Sequence, residues 1–420
     1  MDRSLLEWTR AQVEAHESWR IKCLNLIASE NYSSRSVREL QSSDFIHRYP
    51  YWLDNNPLTR YYQGNKYIQE IEVKATELAK DLFNAEHADI RPLSGMSANL
   101  GMLFGLTEPN NLVIECGRDI GGHMTVTKLI TSKIINLRVT NYPADITCYN
   151  IDLEKAREMI RKEKPKLLTL GASIFPFPHP VHEIVEIAEE IGAHVSYDAS
   201  HVLGLIAGKQ FQQPLDEGAD ILLGSTHKTF AGPQGGIILS RNSDAFGKVK
   251  LCPNIVDNHH PHRIPGLIVA LAEYKEFGEA YATQVIKNAK ALGAALFENG
   301  FNVLFKDFGF TASHAILLDV SRFGQGRVVA KKLEEAQIIL NAMQIPTDIT
   351  EKSPTPSGLR IGVQEMTRFG MKEEEMKVIS RFLRDVLIER KEPAKVASEV
   401  ASFRSKYQTV GYCFDSQTLN

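Results

Sequence analysis

Short apolar runs recur through the middle of the chain, at 112–114, 134–139, 167–170, 195–197, 221–223 and 236–239. Each is too short for a helix and is bounded by polar or Gly/Pro-rich residues, the pattern of strands buried on both faces. Helical periods lie between several of them, at 153–162 and 181–191. Upstream, 67–83 reads as a helix and 88–92 as a short strand. Ser94-Gly95-Met96-Ser97-Ala98-Asn99 then opens a helix that runs on through Leu103 and Leu106. Strand–helix alternation of this kind predicts an α/β domain with a mostly parallel sheet, with ligands at the strand ends.

The flanks read differently. Residues 2–22 form a helical pattern with Leu5, Leu6, Trp8, Val13 and Trp19 among polar residues. A long helical pattern at 267–299 connects to a second half with strands at 315–320, 338–340 and 357–362. That half also holds helices at 328–336, 372–389 and 393–407. The expected organisation is an N-terminal arm at 1–30, a large domain at 31–272 and a smaller α+β domain at 273–420.

Composition narrows the class. Hydrophobic residues make up 43% and charged residues 24%, ordinary for a globular chain, and the net charge of −3 comes from interspersed signs. No basic stripe points to nucleic acid or a membrane surface, and no apolar run approaches the ~20 residues that span a bilayer. Cys23, Cys116, Cys148, Cys252 and Cys413 are scattered, odd in number and without a CxxC pair, so neither a disulfide framework nor a thiolate metal site is expected. A reducing, cytoplasmic setting fits.

The candidate chemistry gathers where strands end. Residues 220–236 read as strand, tight loop, strand, with Lys228 between His227 and Thr229 and a Gly-rich turn beyond. An ammonium at the end of a buried strand suits Schiff-base chemistry with an aldehyde cofactor. A surface lysine in a turn is the equal alternative on these residues alone. Other strands end in Gly171-Ala172-Ser173, in Asp198-Ala199-Ser200-His201 and in Ser225-Thr226-His227. In a parallel sheet Asp198, His201 and Lys228 can meet at one edge, although singly Asp198 reads as a cap and His123 or His201 as a core histidine. The small residues around Ser94 leave free N–H groups at a helix start, a natural phosphate seat. His259, His260 and His262 invite a metal reading, which Pro261 and the want of an acid at ligand spacing weigh against. Arg360 sits on an otherwise apolar strand and needs an anionic partner, which a substrate carboxylate or an internal acid would supply.

Taken together, Leu26-Ile27-Ala28-Ser29-Glu30-Asn31, Arg60-Tyr61-Tyr62-Gln63-Gly64, Ser94-Gly95, Gly121-Gly122-His123, Tyr197-Asp198-Ala199-Ser200-His201, Thr226-His227-Lys228-Thr229 and Leu359-Arg360-Ile361-Gly362 resemble serine hydroxymethyltransferase, in the family's order and over nearly the whole chain. The segments 175–180, 204–211 and 364–368 look most like its archaeal-type members. The resemblance implies the aspartate-aminotransferase-like fold, fold type I, with pyridoxal 5'-phosphate. It implies that Lys228 forms the Schiff base, Asp198 pairs with the pyridinium nitrogen, His123 stacks on the ring and His201 lies near its phenolic oxygen. Ser94 and Gly95 would hold the phosphate, with Ser173 and Thr226 as further cofactor contacts. Arg360 with Ser29 would bind the amino-acid carboxylate, and Tyr62 would lie at the reacting amino acid. A homodimer is implied, with the 49–62 loop serving the neighbouring subunit.

The chain also departs from the family. Before Arg60-Tyr61-Tyr62 the usual Lys-Tyr-Ala-Glu-Gly-Tyr-Pro is replaced by a longer Tyr49-Pro50-Tyr51-Trp52-Leu53-Asp54-Asn55-Asn56-Pro57, without the family's proton-transferring Glu. Asp54 is the candidate replacement. Val126 stands where a second His usually follows Gly-Gly-His, and Met96 replaces a phosphate-side Ser. The leading expectation is a hydroxymethyltransferase that uses a tetrahydropterin. The rivals are a pterin-independent threonine aldolase or threonine transaldolase, and a silent cofactor-binding homologue.

Overall fold

The alternating middle of the chain folds around a seven-stranded sheet. The structure, a computed structural model, describes residues 3–53, 56–249, 255–416 and 418. The described residues divide into two compact units, one of 31–283 with 412–415, the other of the N-terminal 30 residues with 284–411 and the C-terminal end. The helix Ile264–Glu298 carries the chain from the first into the second.

In the first unit the strands are β1 (His87–Asp89), β2 (Leu112–Glu115), β3 (Arg138–Asn141), β4 (Leu167–Leu170), β5 (His194–Asp198), β6 (Ile221–Ser225) and β7 (Gly236–Ser240). Their order across the sheet is β1-β7-β6-β5-β4-β2-β3. From β6 to β3 neighbours run parallel, and β7 is antiparallel to both β6 and β1. Three helices matter for the site: α1 (Lys66–Phe83), α2 (Gly95–Leu106) and α3 (Thr125–Thr131). Helix α2 is apolar nearly all round because it is buried: Ala98, Met102, Leu103 and Leu106 pack with Val113, Leu167, Ile221, Leu223 and Ile238 of the sheet. Each of these larger aliphatic side chains stabilises the fold by roughly 1.5–3 kcal/mol.

The expected strand at 134–139 is displaced. Helix α3 ends in a turn with Lys133 in the left-handed region, φ 58°, and pairing starts only at Arg138. Ile135 and Leu137 are apolar because they pack on the core from the connecting loop.

The second unit holds a four-stranded antiparallel sheet of β8 (Asn302–Val303), β9 (Ala315–Asp319), β10 (Asn341–Met343) and β11 (Gly358–Gly362), ordered β8-β9-β11-β10. Near the chain's start, Leu24–Asn25 pairs in parallel with Ile338–Ile339. Gly362 N–H donates to the Leu26 carbonyl at 2.8 Å. The helix Ser4–Arg20 buries none of its residues.

Candidate active site

Four parallel strands deliver their C-terminal ends to one place. A cavity of about 300 Å³ opens there, lined by residues following β2, β4, β5 and β6 and by the N-termini of α2 and α3. Ligands collect at this edge in open α/β sheets, and the volume suits a small molecule. Ser94, Gly95, His123, Ser173, Asp198, His201 and Lys228 all line it.

The loop between β6 and β7 presents Lys228, and its backbone is pinned on several sides. Thr226 N–H donates to the Gly235 carbonyl at 3.1 Å, and Thr229 Oγ1 donates to the His201 carbonyl at 2.8 Å. Asn31 Nδ2 donates to the Lys228 carbonyl at 2.8 Å. The amine is therefore carried on a rigid turn. Next to it, burial and the Lys228 charge push His227 down to about 4, which keeps that imidazole neutral. The Thr226 hydroxyl donates to the Pro233 carbonyl at 2.7 Å and closes the loop.

Asp198 is the last residue of β5. Asn99 Nδ2 donates to its Oδ2 at 2.8 Å, and Ser200 N–H donates to its Oδ1 at 2.9 Å. Both oxygens are thus oriented by donors. The approach needs Gly171, whose φ is 119° and where a Cβ would stand 2.4 Å from the Asp198 carbonyl oxygen.

At the start of α2 a capping box joins Ser94 and Ser97: Ser97 N–H donates to Ser94 Oγ at 3.2 Å and Ser94 N–H to Ser97 Oγ at 3.0 Å. A Cβ on Gly95 would fall 2.7 Å from Ser200 Oγ and 2.8 Å from Ser225 Oγ. Glycine therefore lets a helix N-terminus and three serine hydroxyls share one corner of the cavity, a built seat for an anion.

His123 Nδ1 lies 2.7 Å from Thr125 Oγ1. Burial first, then Lys128 and Lys228, lower its pKa below the ordinary imidazole value, with Asp198 pulling the other way. The ring is neutral at pH 7 and adds no second cation beside Lys228. Glu115 is committed to the wall: its carboxylate accepts from Val126 N–H and Thr127 N–H, both at 2.9 Å, and so caps α3. Cys116 also lines the cavity, 3.7 Å from His179 Nε2. Burial raises the thiol far above its usual range and drops His179 to about 3, so the pair is neutral and is not an activated nucleophile.

Asn99, Ser200 and Ser225, not singled out in the sequence, also line the cavity. Ser200 and Ser225 close the very strand ends that drew attention, and Asn99 falls one turn into the helix that was singled out. Of the remaining candidates, Tyr62 is 46% exposed and packs edge-on against Tyr49 and Tyr61. Asp54 lies outside the described residues. Ser29 and Arg360 belong to the second unit. There Arg360 is buried, and its Nε donates to Asn341 Oδ1, across the β10–β11 pair, at 3.2 Å. Segment 26–28, leading to Ser29, lies against the end of the same strand at Gly362.

A lysine on a rigid loop, an oriented carboxylate, a neutral imidazole and an anion seat at the C-terminal edge of a parallel sheet fit pyridoxal 5'-phosphate part by part. They define a fold type I pyridoxal-phosphate enzyme. The family model for serine hydroxymethyltransferase matches residues 7–383, and the chain belongs to that family. It is 50% identical over 408 residues to a serine hydroxymethyltransferase of Thermococcus onnurineus, covering 96% of this chain and 95% of that one. It is 48% identical over 410 residues to that of Methanocaldococcus jannaschii, covering 96% and 94%. Among solved structures, L-threonine transaldolase from Pseudomonas fluorescens superposes with a TM-score of 0.89 at 29% identity, covering 98% of this chain and 94% of that one.

Proposed function

We propose that this protein interconverts serine and glycine, moving the one-carbon unit between serine and a tetrahydropterin by breaking and forming the Cα–Cβ bond. The observation that carries the reading is the convergence of Lys228, Asp198, His123 and the α2 N-terminus on one cavity. Pyridoxal phosphate, when bound, supplies the electron sink for the pair left on Cα.

The chain's own residues do the rest. Lys228 would hold the cofactor through its aldehyde carbon. Asp198, fixed by Asn99 and Ser200, is the counter-anion for a protonated ring nitrogen. His123 packs on the ring as a neutral imidazole, and His201 serves the phenolic oxygen. Ser94 and Gly95, joined by Ser200 and Ser225, hold the phosphate, with Ser173 a further wall contact. Ser29 and Arg360 clamp the amino-acid carboxylate, and Tyr62 contacts the reacting amino acid. Asp54, the only carboxylate in the sequence between Tyr49 and Tyr62, is the candidate for the proton transfer that the family assigns to its missing Glu.

A homodimer completes the site, with the 49–62 loop reaching the neighbouring subunit. The apolar surface supports this: Leu5, Leu6, Trp8 and Val13 on one helix are 53–65% exposed. Among the described residues no helix is long and apolar enough to cross a membrane. The scattered cysteines fit a cytoplasmic setting.

The protein titrated with pyridoxal phosphate is expected to develop a visible absorption band that shifts on adding glycine. Lys228→Ala is expected to lose that linkage and at least about 10³-fold in kcat. A band and turnover that survive Lys228→Ala would overturn the assignment.

A further inference from the structure

The segment that departs most from the family, 49–62, contains Trp52, the only tryptophan in the 31–283 sequence. Trp52 is 5% exposed, whereas Tyr61 and Tyr62 are 64% and 46% exposed. The loop thus has a buried root and an exposed aromatic edge.

The root is one carboxylate. Glu72, on the inner face of α1, has no exposed surface. Trp52 Nε1 donates to Glu72 Oε2 at 2.7 Å, and the Arg60 guanidinium pairs with the same oxygen at 2.7 Å. His259 Nε2 lies 2.5 Å from Glu72 Oε1. Trp52 and Arg60 face each other as an antiparallel bridge, so both legs of the loop end on Glu72. The Trp52 ring also lies 4.3 Å from the Arg91 guanidinium carbon, and Arg91 is held by two bonds to Asp89, at 2.9 and 2.6 Å. A fully buried carboxylate is tolerated only when partners replace water, and here the loop supplies one hydrogen bond, from Trp52, and one opposite charge, from Arg60.

The edge is built on that root. Tyr61 and Tyr62 follow Arg60 directly. Tyr61 N–H donates to the Tyr51 carbonyl at 3.2 Å. The rings Tyr49–Tyr62, Tyr61–Tyr62 and Tyr51–Tyr61 pack edge to face at 5.3, 4.9 and 6.3 Å. A shift of Arg60 or Trp52 moves this set as a block.

We propose that Glu72 is the positioning residue of the aromatic loop: through Trp52 and Arg60 it fixes where Tyr61 and Tyr62 stand and so sets the affinity for the amino-acid substrate. The proposal rests on the reading of Tyr62 as a contact of the reacting amino acid. His259 closes the far side of the carboxylate, which gives the buried histidine a partner other than a metal.

The test uses the holoprotein with Trp8→Phe and Trp19→Phe, so that fluorescence reports Trp52 alone. Glu72→Gln in this background is expected to raise acrylamide quenching of Trp52 severalfold. It is also expected to raise the serine KM about tenfold, as for loss of a charged hydrogen bond, with kcat within about twofold and the cofactor absorption unchanged. In the otherwise native chain, Trp52→Phe keeps an aromatic ring beside Arg91 but lacks the indole N–H, and is expected to reproduce the KM rise. If Glu72→Gln misfolds, Trp52→Phe alone decides by its KM. Unchanged quenching in folded Glu72→Gln, or freed Trp52 with unchanged KM, overturns the proposal. A parent that turns over neither serine nor threonine overturns the substrate reading beneath it, and with it the loop's role, a result distinguishable from the other two.

Discussion

At the scale of single residues, the orientation of Asp198 is the feature on which its proposed pairing with the cofactor ring rests. Asn99 Nδ2 supplies a side-chain donor to that carboxylate, at 2.8 Å. Asn99→Ala is expected to lower kcat roughly 10-fold or more with little change in KM, since a hydrogen bond to a charged group contributes about 1.5–3 kcal/mol. Steady-state kinetics with serine measure this. An unchanged kcat would remove Asn99 from the machinery. That Lys228, Asp198 and His123 gather at one cavity was legible in the sequence because each follows an apolar run or a Gly-Gly turn and matches a family motif. Asn99, Ser200 and Ser225 were not, because small polar residues after strands and in first turns are usually caps, and only the folded chain shows that theirs share one corner.

At the scale of elements, the start of α2 is the part most sensitive to a single methyl group. Gly95→Ala places a Cβ 2.7 Å from Ser200 Oγ and 2.8 Å from Ser225 Oγ, so these hydroxyls must leave the corner they share with the helix N-terminus. The expected result is a pyridoxal-phosphate affinity weakened by tenfold or more, read by titrating the visible band, with the far-ultraviolet spectrum unchanged. An unaltered affinity would show that the phosphate is held elsewhere. Most of the strands could be read from the sequence because burial on both faces makes them continuously apolar. The strand expected at 134–139 could not be placed: β3 has one neighbour, its ends Arg138 and Asn141 are exposed, and the apolar residues before it serve the core from a loop. The anchoring of the 49–62 loop was equally hidden, since it joins Trp52 and Arg60 to Glu72 in the next helix and, through that carboxylate, to His259 far along the chain.

At the scale of the whole molecule, two consequences are measurable. In the second unit, burial pushes the Glu365 carboxyl up to about 7, against the pull of Arg20, and Asn25 Nδ2 donates to it at 2.7 Å. The folded pKa lies above the unfolded value, so the protonated form contributes stability fully present below about pH 4.3 and lost as pH rises to about 7. The loss from this one group is on the order of 3 kcal/mol. Glu365→Gln is expected to flatten that slope in denaturant midpoints measured from pH 5 to 8, and an unaltered slope would show that the group is ionised throughout. The second concerns the proposed homodimer. Leu5→Glu with Trp8→Glu is expected to shift the sedimenting species from dimer to monomer and to lower activity with it, whereas a fully active monomer would remove the neighbour's loop from the site. The central claim is pterin-dependent transfer on serine, and the measurement that meets it directly is glycine formation from serine and from threonine, each with and without tetrahydropterin. Serine turnover that depends on the pterin is expected. Pterin-independent cleavage of threonine with no pterin-dependent turnover of serine would contradict it.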